Sequence, residues 1–169
     1  MDNNHNNRND DHKKIQKLAL EFLKDHKTAV VATASRGGEP QAATVFYAID
    51  DDFTFNFITD KISRKFKNLK ENPHVAVVVG TGEDVRTVQC GGHVETVDYL
   101  KDTDRAEGII RKVIENIKLH SDPPAWPVLI NPSVEFGIFI LKPSWMVFLN
   151  LEIQKNGDTT PYDYLKVLP

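Results

Sequence analysis

The sequence predicts a mainly β protein with helical additions, an antiparallel barrel of six or seven short strands. Three observations predict it. Apolar and polar residues alternate at period two, as where Phe53, Phe55 and Phe57 are separated by Thr54 and Asn56. Turn signals divide the strands: Ser35-Arg36-Gly37-Gly38-Glu39-Pro40, Asp50-Asp51-Asp52 and Gly80-Thr81-Gly82-Glu83-Asp84. Helical stripes fall between the strands instead of following one another as in a bundle.

Size and composition set the bounds. At 169 residues the chain is long enough for a real core, and 40% hydrophobic with 27% charged residues fits an ordinary globular protein. A net charge of −3 gives neither a nucleic-acid footprint nor a polybasic membrane anchor. The single cysteine, Cys90, excludes an intrachain disulfide and fits a reducing compartment, the cytoplasm. No apolar run approaches a bilayer span. Residues 1–11, rich in Asn and Asp without a signal-peptide stretch, read as a disordered tail. Residues 12–169 read as one domain.

His12 to His26 carries Ile15, Leu18, Ala19, Phe22 and Leu23 at helical spacing, a stripe suited to covering one opening of a barrel. Thr28 to Ala34 reads as a buried strand, and Gln41 to Ile49 as the next. The three aspartates at 50–52 lack the spacing and closing Glu of an EF-hand, so they read as a hairpin tip leading into the Phe53 strand. Val75 to Val79 and the long Val85 to Val97 follow, with Gly91-Gly92 expected at a bulge or close approach. Asp98 to His120 is mostly helix, its stripe formed by Ile109, Ile110, Val113, Ile114 and Ile117, and Ser121 to Pro124 ends it. Trp126 sits in a proline-flanked loop. Val134 to Leu141 and Trp145 to Ile153 read as a hairpin across Lys142-Pro143-Ser144. Beyond Gln154 the pattern is weak, with Tyr162, Tyr164, Leu165 and Val167 able to dock on a surface.

One stretch stands out chemically. Between Phe57 and His74 a strand ends, a short helix forms and Pro73 stops it. Ser63 can cap that helix, and Phe66 and Leu69 give it one apolar edge. Lys61, Arg64, Lys65 and Lys67 crowd its N-terminus. Cations there oppose the helix dipole at a cost of roughly 0.3–1 kcal/mol each. A bound anion, phosphate above all, would reverse that cost, because free N–H groups, a hydroxyl, a guanidinium and an ammonium would converge on it. A solvated basic turn is the competing interpretation.

Other chemistry is poorly supported. The six histidines are scattered, and no His-x-x-x-His or Cys-x-x-Cys pair marks a metal site. No Walker loop, nucleophile elbow or Gly-x-Gly-x-x-Gly after a strand occurs, which argues against a Rossmann nicotinamide site. No base marks Cys90 as a nucleophile, so it reads as a small buried residue.

The order Thr59-x-x-x-Ser63-Arg64-Lys65, then Asn68-Leu69, then Asn72-Pro73 and an apolar strand resembles the phosphate-binding segment of the pyridoxamine 5′-phosphate oxidase-like, FMN-binding split-barrel family. The similarity runs from about Thr28 to about Val97 and more weakly to Leu151. The resemblance implies a split barrel binding FMN at the interface of a homodimer, with both subunits touching the cofactor. By motif match Arg64 and Lys65 would hold the phosphate, supported by Ser63 and Thr59. Thr44, Val45, Phe46 and Tyr47 match the segment that passes the flavin ring; Gln89 matches a polar position reaching it, and Trp145 an aromatic one.

Two departures limit the analogy. Ala42 to Tyr47 supplies neither the Arg nor the Lys of the vitamin oxidase's first FMN segment, and Trp145 to Lys155 contains no Arg or His for a phosphorylated substrate. The expectation is therefore an FMN-dependent oxidoreductase acting on an unidentified small molecule, with no nucleic-acid or membrane partner. A non-catalytic flavin-binding stress protein is one alternative. A haem- or deazaflavin-handling relative is another, with His93 and His120 open as haem ligands.

Overall fold

The computed structural model describes residues 3–80, 86–120, 135–150 and 165–168. Its elements are α1 (Asn3–Asp25), β1 (Thr28–Ala34), β2 (Pro40–Ile49), β3 (Phe55–Asp60), α2 (Arg64–Glu71), β4 (His74–Val79), β5 (Arg86–Val97), α3 (Thr103–His120), β6 (Phe136–Asn150) and β7 (Leu165–Leu168). The strands run in the order β3-β2-β1-β4-β5-β6, and β6 returns to β3, so an antiparallel barrel closes. Residues 81–85, 121–134 and 151–164 lie outside the described residues, and with them the expected turn after Gly80, the Ser121–Pro124 helix end and the Trp126 loop.

β6 explains both closure and splitting. Along one side it pairs with β5 from Ile138 to Asn150. Along the other, its first part pairs with β3 from Phe136 to Leu141, and its last part with β7 from Met146 to Phe148. Two strands thus share one edge of β6 in succession. The expected hairpin across Lys142-Pro143-Ser144 is not formed; those residues lie inside one continuous strand. A register shift opposite Gly91/Gly92 leaves Ser144 as the extra residue, its hydroxyl donating to the Gly91 carbonyl at 3.1 Å. The bulge accommodates Pro143, which has no N–H for the ladder. It also reverses the phase of β6. Phe139 and Leu141 face the interior before it; Met146 and Phe148 do so after it.

The main core fills the barrel with Val31, Val45, Tyr47, Phe55, Phe57, Val77, Val88, Phe139, Leu141 and Phe148 among others. α1 enters one end with Ala19, Phe22 and Leu23, as its stripe predicts. Its helical backbone starts at Asn3, inside the stretch read as a tail, since extending a helix costs far less than nucleating one. α2 lies at the opposite end, near the start of β6. Val167 of β7 is buried in the core, and its carbonyl accepts from Gln16 of α1 at 3.1 Å. The weak C-terminal pattern thus hides a strand.

β3 begins at Phe55, later than the phenylalanine alternation implies. Phe53 belongs to the preceding turn, with a left-handed φ of 65°. Its N–H donates to the Asp50 carbonyl at 3.0 Å, and Asp52 Oδ1 accepts from the Thr54 N–H at 3.1 Å. Such a backbone costs about 1–2 kcal/mol, and burying the Phe53 ring offsets it.

Candidate cofactor site

α2 is built as the sequence implies. Ser63 has an extended backbone and its Oγ accepts from the Phe66 N–H at 3.2 Å, a true N-cap. Asn72 closes the helix, its N–H donating to the Asn68 carbonyl at 2.7 Å. The Thr59 hydroxyl, at the buried end of β3, lies 3.2 Å from Ser63 Oγ. Two contacts hold the helix against the barrel. Buried Asn68 donates to Thr33 Oγ1 of β1 at 3.0 Å. Phe66 packs over Gly137, where any Cβ would overlap its ring.

The first turn of α2 contains no acidic residue. Arg64 pairs with Glu39 from the β1–β2 turn, and both side chains are exposed. Lys61 pairs with Glu135 at 2.9 Å. Among the described residues, Lys65 and Lys67 pair with no carboxylate. Lys65 is half-buried and Lys67 exposed. The helix start therefore presents uncompensated positive charge and free N–H groups, the arrangement that suits an anion.

The remaining expected residues divide by strand parity. Thr44 and Phe46 point to the outside of β2. Val45 and Tyr47 point inward and are core residues. The Tyr47 hydroxyl donates to the Leu23 carbonyl of α1 at 2.6 Å, and burial, then the nearby Cys90, raises its pKa. Tyr47 is thus a structural strut, and its backbone is taken as well, the N–H donating to the Lys27 carbonyl at 3.2 Å and the carbonyl accepting from Asn116 Nδ2 at 2.7 Å. At Val45 the side chain is core, which leaves only the backbone to face outward. Gln89 lies on the outer side of β5. Trp145 lies on the outer side of β6, 40% exposed, its indole resting on Gly91. A Cβ at Gly91 would sit 2.8 Å from the indole nitrogen, so the flat arrangement requires glycine.

Register links these positions. Ala42, Ala32, Ala76, Gly91 and Trp145 form one row across β2, β1, β4, β5 and β6. Thr44, Val30, Val78, Gln89 and Val147 form the next. The result is a shallow exterior face of small and apolar side chains. Sequence reading missed Glu39 and Thr33, which meet α2 only through the fold, and Gly91 as the seat of Trp145.

Cys90 faces the core and burial pushes its thiol up to about 12, so it is no nucleophile. Among the described residues no group of three or more His, Cys, Asp or Glu surrounds a common metal position. A cavity of about 370 Å³ opens elsewhere, between α3 and the turn at Asp50 to Thr54. Two of its cations are paired, Lys112 with Asp50 at 2.6 Å and Arg105 with Glu95 at 2.6 Å. No described helix is long and apolar enough to cross a membrane.

A family model described as pyridoxamine 5′-phosphate oxidase matches residues 15–130. A pyridoxine/pyridoxamine 5′-phosphate oxidase of Ehrlichia ruminantium is 33% identical over 90 residues, 53% of this chain and 46% of that protein. The chain thus spans less than half the length of this curated relative. Among solved structures, a pyridoxamine 5′-phosphate oxidase-related, FMN-binding protein of Nostoc punctiforme superposes with a TM-score of 0.54 at 16% identity, covering 86% of this chain and 83% of that one. HutZ, a haem storage protein of Vibrio cholerae, superposes with a TM-score of 0.60 at 17% identity, covering 82% of this chain and 98% of that one. At these identities the two superpositions speak for the fold alone. With the match to its family model extending over most of the described barrel, the chain belongs to the pyridoxamine 5′-phosphate oxidase family and has its split-barrel fold.

Proposed function

We propose that this protein binds FMN between two copies of itself and is an FMN-dependent oxidoreductase acting on a small molecule. One observation carries the reading. The expected cofactor residues fall into two patches that a single flavin cannot touch in one chain. Thr44 and Gln89 lie in one register row but are separated by β1 and β4. At the usual strand spacing that is about 14 Å, more than the width of a flavin ring. Arg64 and Lys65 at the start of α2 and Thr44 on β2 lie on one side of that gap, and Gln89 and Trp145 on the other. Phe46, packed against the core under α3, belongs to neither. A two-fold partner docked on the small-residue face would bring the far patch of one copy to the near patch of the other.

In that arrangement the α2 N-terminus, Arg64 and Lys65 receive the FMN phosphate. Glu39 now occupies the Arg64 guanidinium; as an exposed pair it is worth at most about 1 kcal/mol, so phosphate displaces it cheaply. Thr44 faces the ring, with Gln89 and Trp145 of the partner copy closing over it and excluding water. FMN would supply the redox chemistry. The described C-terminal strand from Trp145 to Asn150 offers no cation for a second phosphate, which favours a substrate other than pyridoxamine 5′-phosphate.

The test is titration with FMN and with riboflavin, followed by flavin fluorescence. Arg64→Ala and Lys65→Ala should each weaken FMN binding by about one to two powers of ten, the equivalent of one charged hydrogen bond. Riboflavin, lacking the phosphate, should bind weakly and ignore both changes, and Lys67→Ala should have little effect. Equal FMN affinity across the three variants removes the phosphate from α2. Turnover with NADH or NADPH and an acceptor separates an enzyme from a flavin-storing stress protein. The absorption spectrum of the purified protein separates flavin from haem or deazaflavin.

A further inference from the structure

We infer that His74 and His93 form a two-imidazole site for a late first-row divalent cation, of the class of Cu²⁺, Ni²⁺ or Zn²⁺. The residues are far apart in sequence, which is why no spacing motif announces them. The β4–β5 register sets them directly opposite each other. The Val94 N–H donates to the Pro73 carbonyl at 2.9 Å, one residue beyond the pair on each strand. That bond identifies His74 and His93 as a non-hydrogen-bonded pair, the kind in which opposing side chains come closest. Their ring centroids are 3.9 Å apart with planes inclined at 55°, and both residues are exposed.

The tautomer of His74 is set for ligation. Asn72 Oδ1 accepts from the His74 backbone N–H at 3.2 Å, which identifies that atom as the amide oxygen. The same atom lies 2.9 Å from His74 Nδ1. Since a carbonyl oxygen can only accept, Nδ1 carries the proton and Nε2 keeps its lone pair. An N–H held by a carbonyl oxygen is the usual outer support of a metal-binding histidine. An ion held by the two rings would sit about 2.0–2.1 Å from one nitrogen of each. Late first-row metals favour imidazole nitrogen, and water would complete the coordination. The cation in the same row is Lys142, opposite His93 on β6. The inference is independent of the flavin reading and departs from the sequence expectation of no metal.

The experiment is titration of the full chain with Cu²⁺ at neutral pH, followed by calorimetry and by electron paramagnetic resonance. The expected result is one ion per chain with nitrogen hyperfine structure from two imidazoles. His74→Gln and His93→Gln should each weaken that binding at least about tenfold and leave one nitrogen. Asn72→Ala should weaken it about tenfold while retaining both. A parallel readout is the rise in melting temperature on adding Zn²⁺, which should vanish in the His74→Gln, His93→Gln double variant. His12→Gln, at an exposed histidine outside the pair, is the control and should leave the binding unchanged. Unchanged Cu²⁺ affinity and hyperfine structure in the double variant would overturn the site.

Discussion

The barrel has two outer faces, and they solve the same problem differently. The face formed by the outer sides of the end of β2, of β3 and of the first part of β6 is covered by α3. There Ala48, Ile58, Ile138 and Ile140 meet Ala106, Ile109, Val113 and Ile117 in a second core. The face formed by β1, β4, β5 and the last part of β6 carries Val30, Ala32, Ala76, Val78, Gly91, Trp145 and Val147. Among the described residues no helix lies on it. The first face reaches its partner through large branched side chains, as an intramolecular core does. The second is flat, made so by alanine and by a glycine under a tryptophan, and suits a planar ring or another flat surface. The bulge at Ser144 separates the two along β6 by switching which residues point outward.

Charge substitution breaks this comparison most sharply. Val113→Asp places an unpaired carboxylate in the covered face, where Val113 is fully buried. We expect a loss of more than about 3 kcal/mol in urea unfolding, the scale of an uncompensated buried charge. Ala76→Asp on the open face should leave the unfolding of dilute monomer almost unchanged. It should abolish self-association in light scattering and weaken FMN binding with it. Equal destabilisation by both changes would mean that the second face is an internal core too.

A methyl group probes the same difference more gently. Gly91→Ala forces the Trp145 indole off its seat and should cost about 1–3 kcal/mol, as overpacking does. Tryptophan emission should shift to the red as the ring enters water. Gly108→Ala, on α3, meets nothing within 4 Å. It should stabilise the protein by about 0.5–1 kcal/mol, the helix penalty of glycine relative to alanine. A calorimetric melt distinguishes the signs.

The smallest effect concerns the rim of the covered face. Arg105 of α3 holds Glu95 of β5 through two hydrogen bonds, at 2.6 and 3.1 Å. The Arg105 guanidinium keeps the Glu95 carboxyl below its ordinary range. Because the folded value is lowered, the stabilisation is present above the ordinary carboxylate pKa and is lost as pH falls through the lowered one. The pair is exposed, so Glu95→Gln should cost at most about 1 kcal/mol at neutral pH and nothing in strong acid. A pH series of melting temperatures, with the variant converging on the original protein at low pH, checks the sign.

How much of this was legible in the sequence follows the range of the interactions involved. The α2 segment was legible because its determinants are local: a serine cap, a cation cluster, an apolar edge and a proline stop all lie within one stretch. β1 was legible for the same reason, and α3 largely so, since propensity and periodicity act between near neighbours. Short strands with interspersed helices implied an antiparallel barrel, and the resemblance supplied its split form. Three features depended on distant partners. The stretch around Pro143 looked like a turn because proline and serine break short patterns, yet β5 pairs along its whole length and absorbs Ser144 as a bulge. Val45 and Tyr47 were expected to face a ring, but which parity faces inward is fixed by the neighbouring strands and by Leu23, which receives the Tyr47 hydroxyl. His74 and His93 carry no motif, because only the β4–β5 register makes them neighbours. The sequence by itself determined the local elements and the basic helix start, since those follow from contacts a few residues apart. Only the tertiary structure decided which side chains share a face, because strand register and closure join residues the chain keeps far apart.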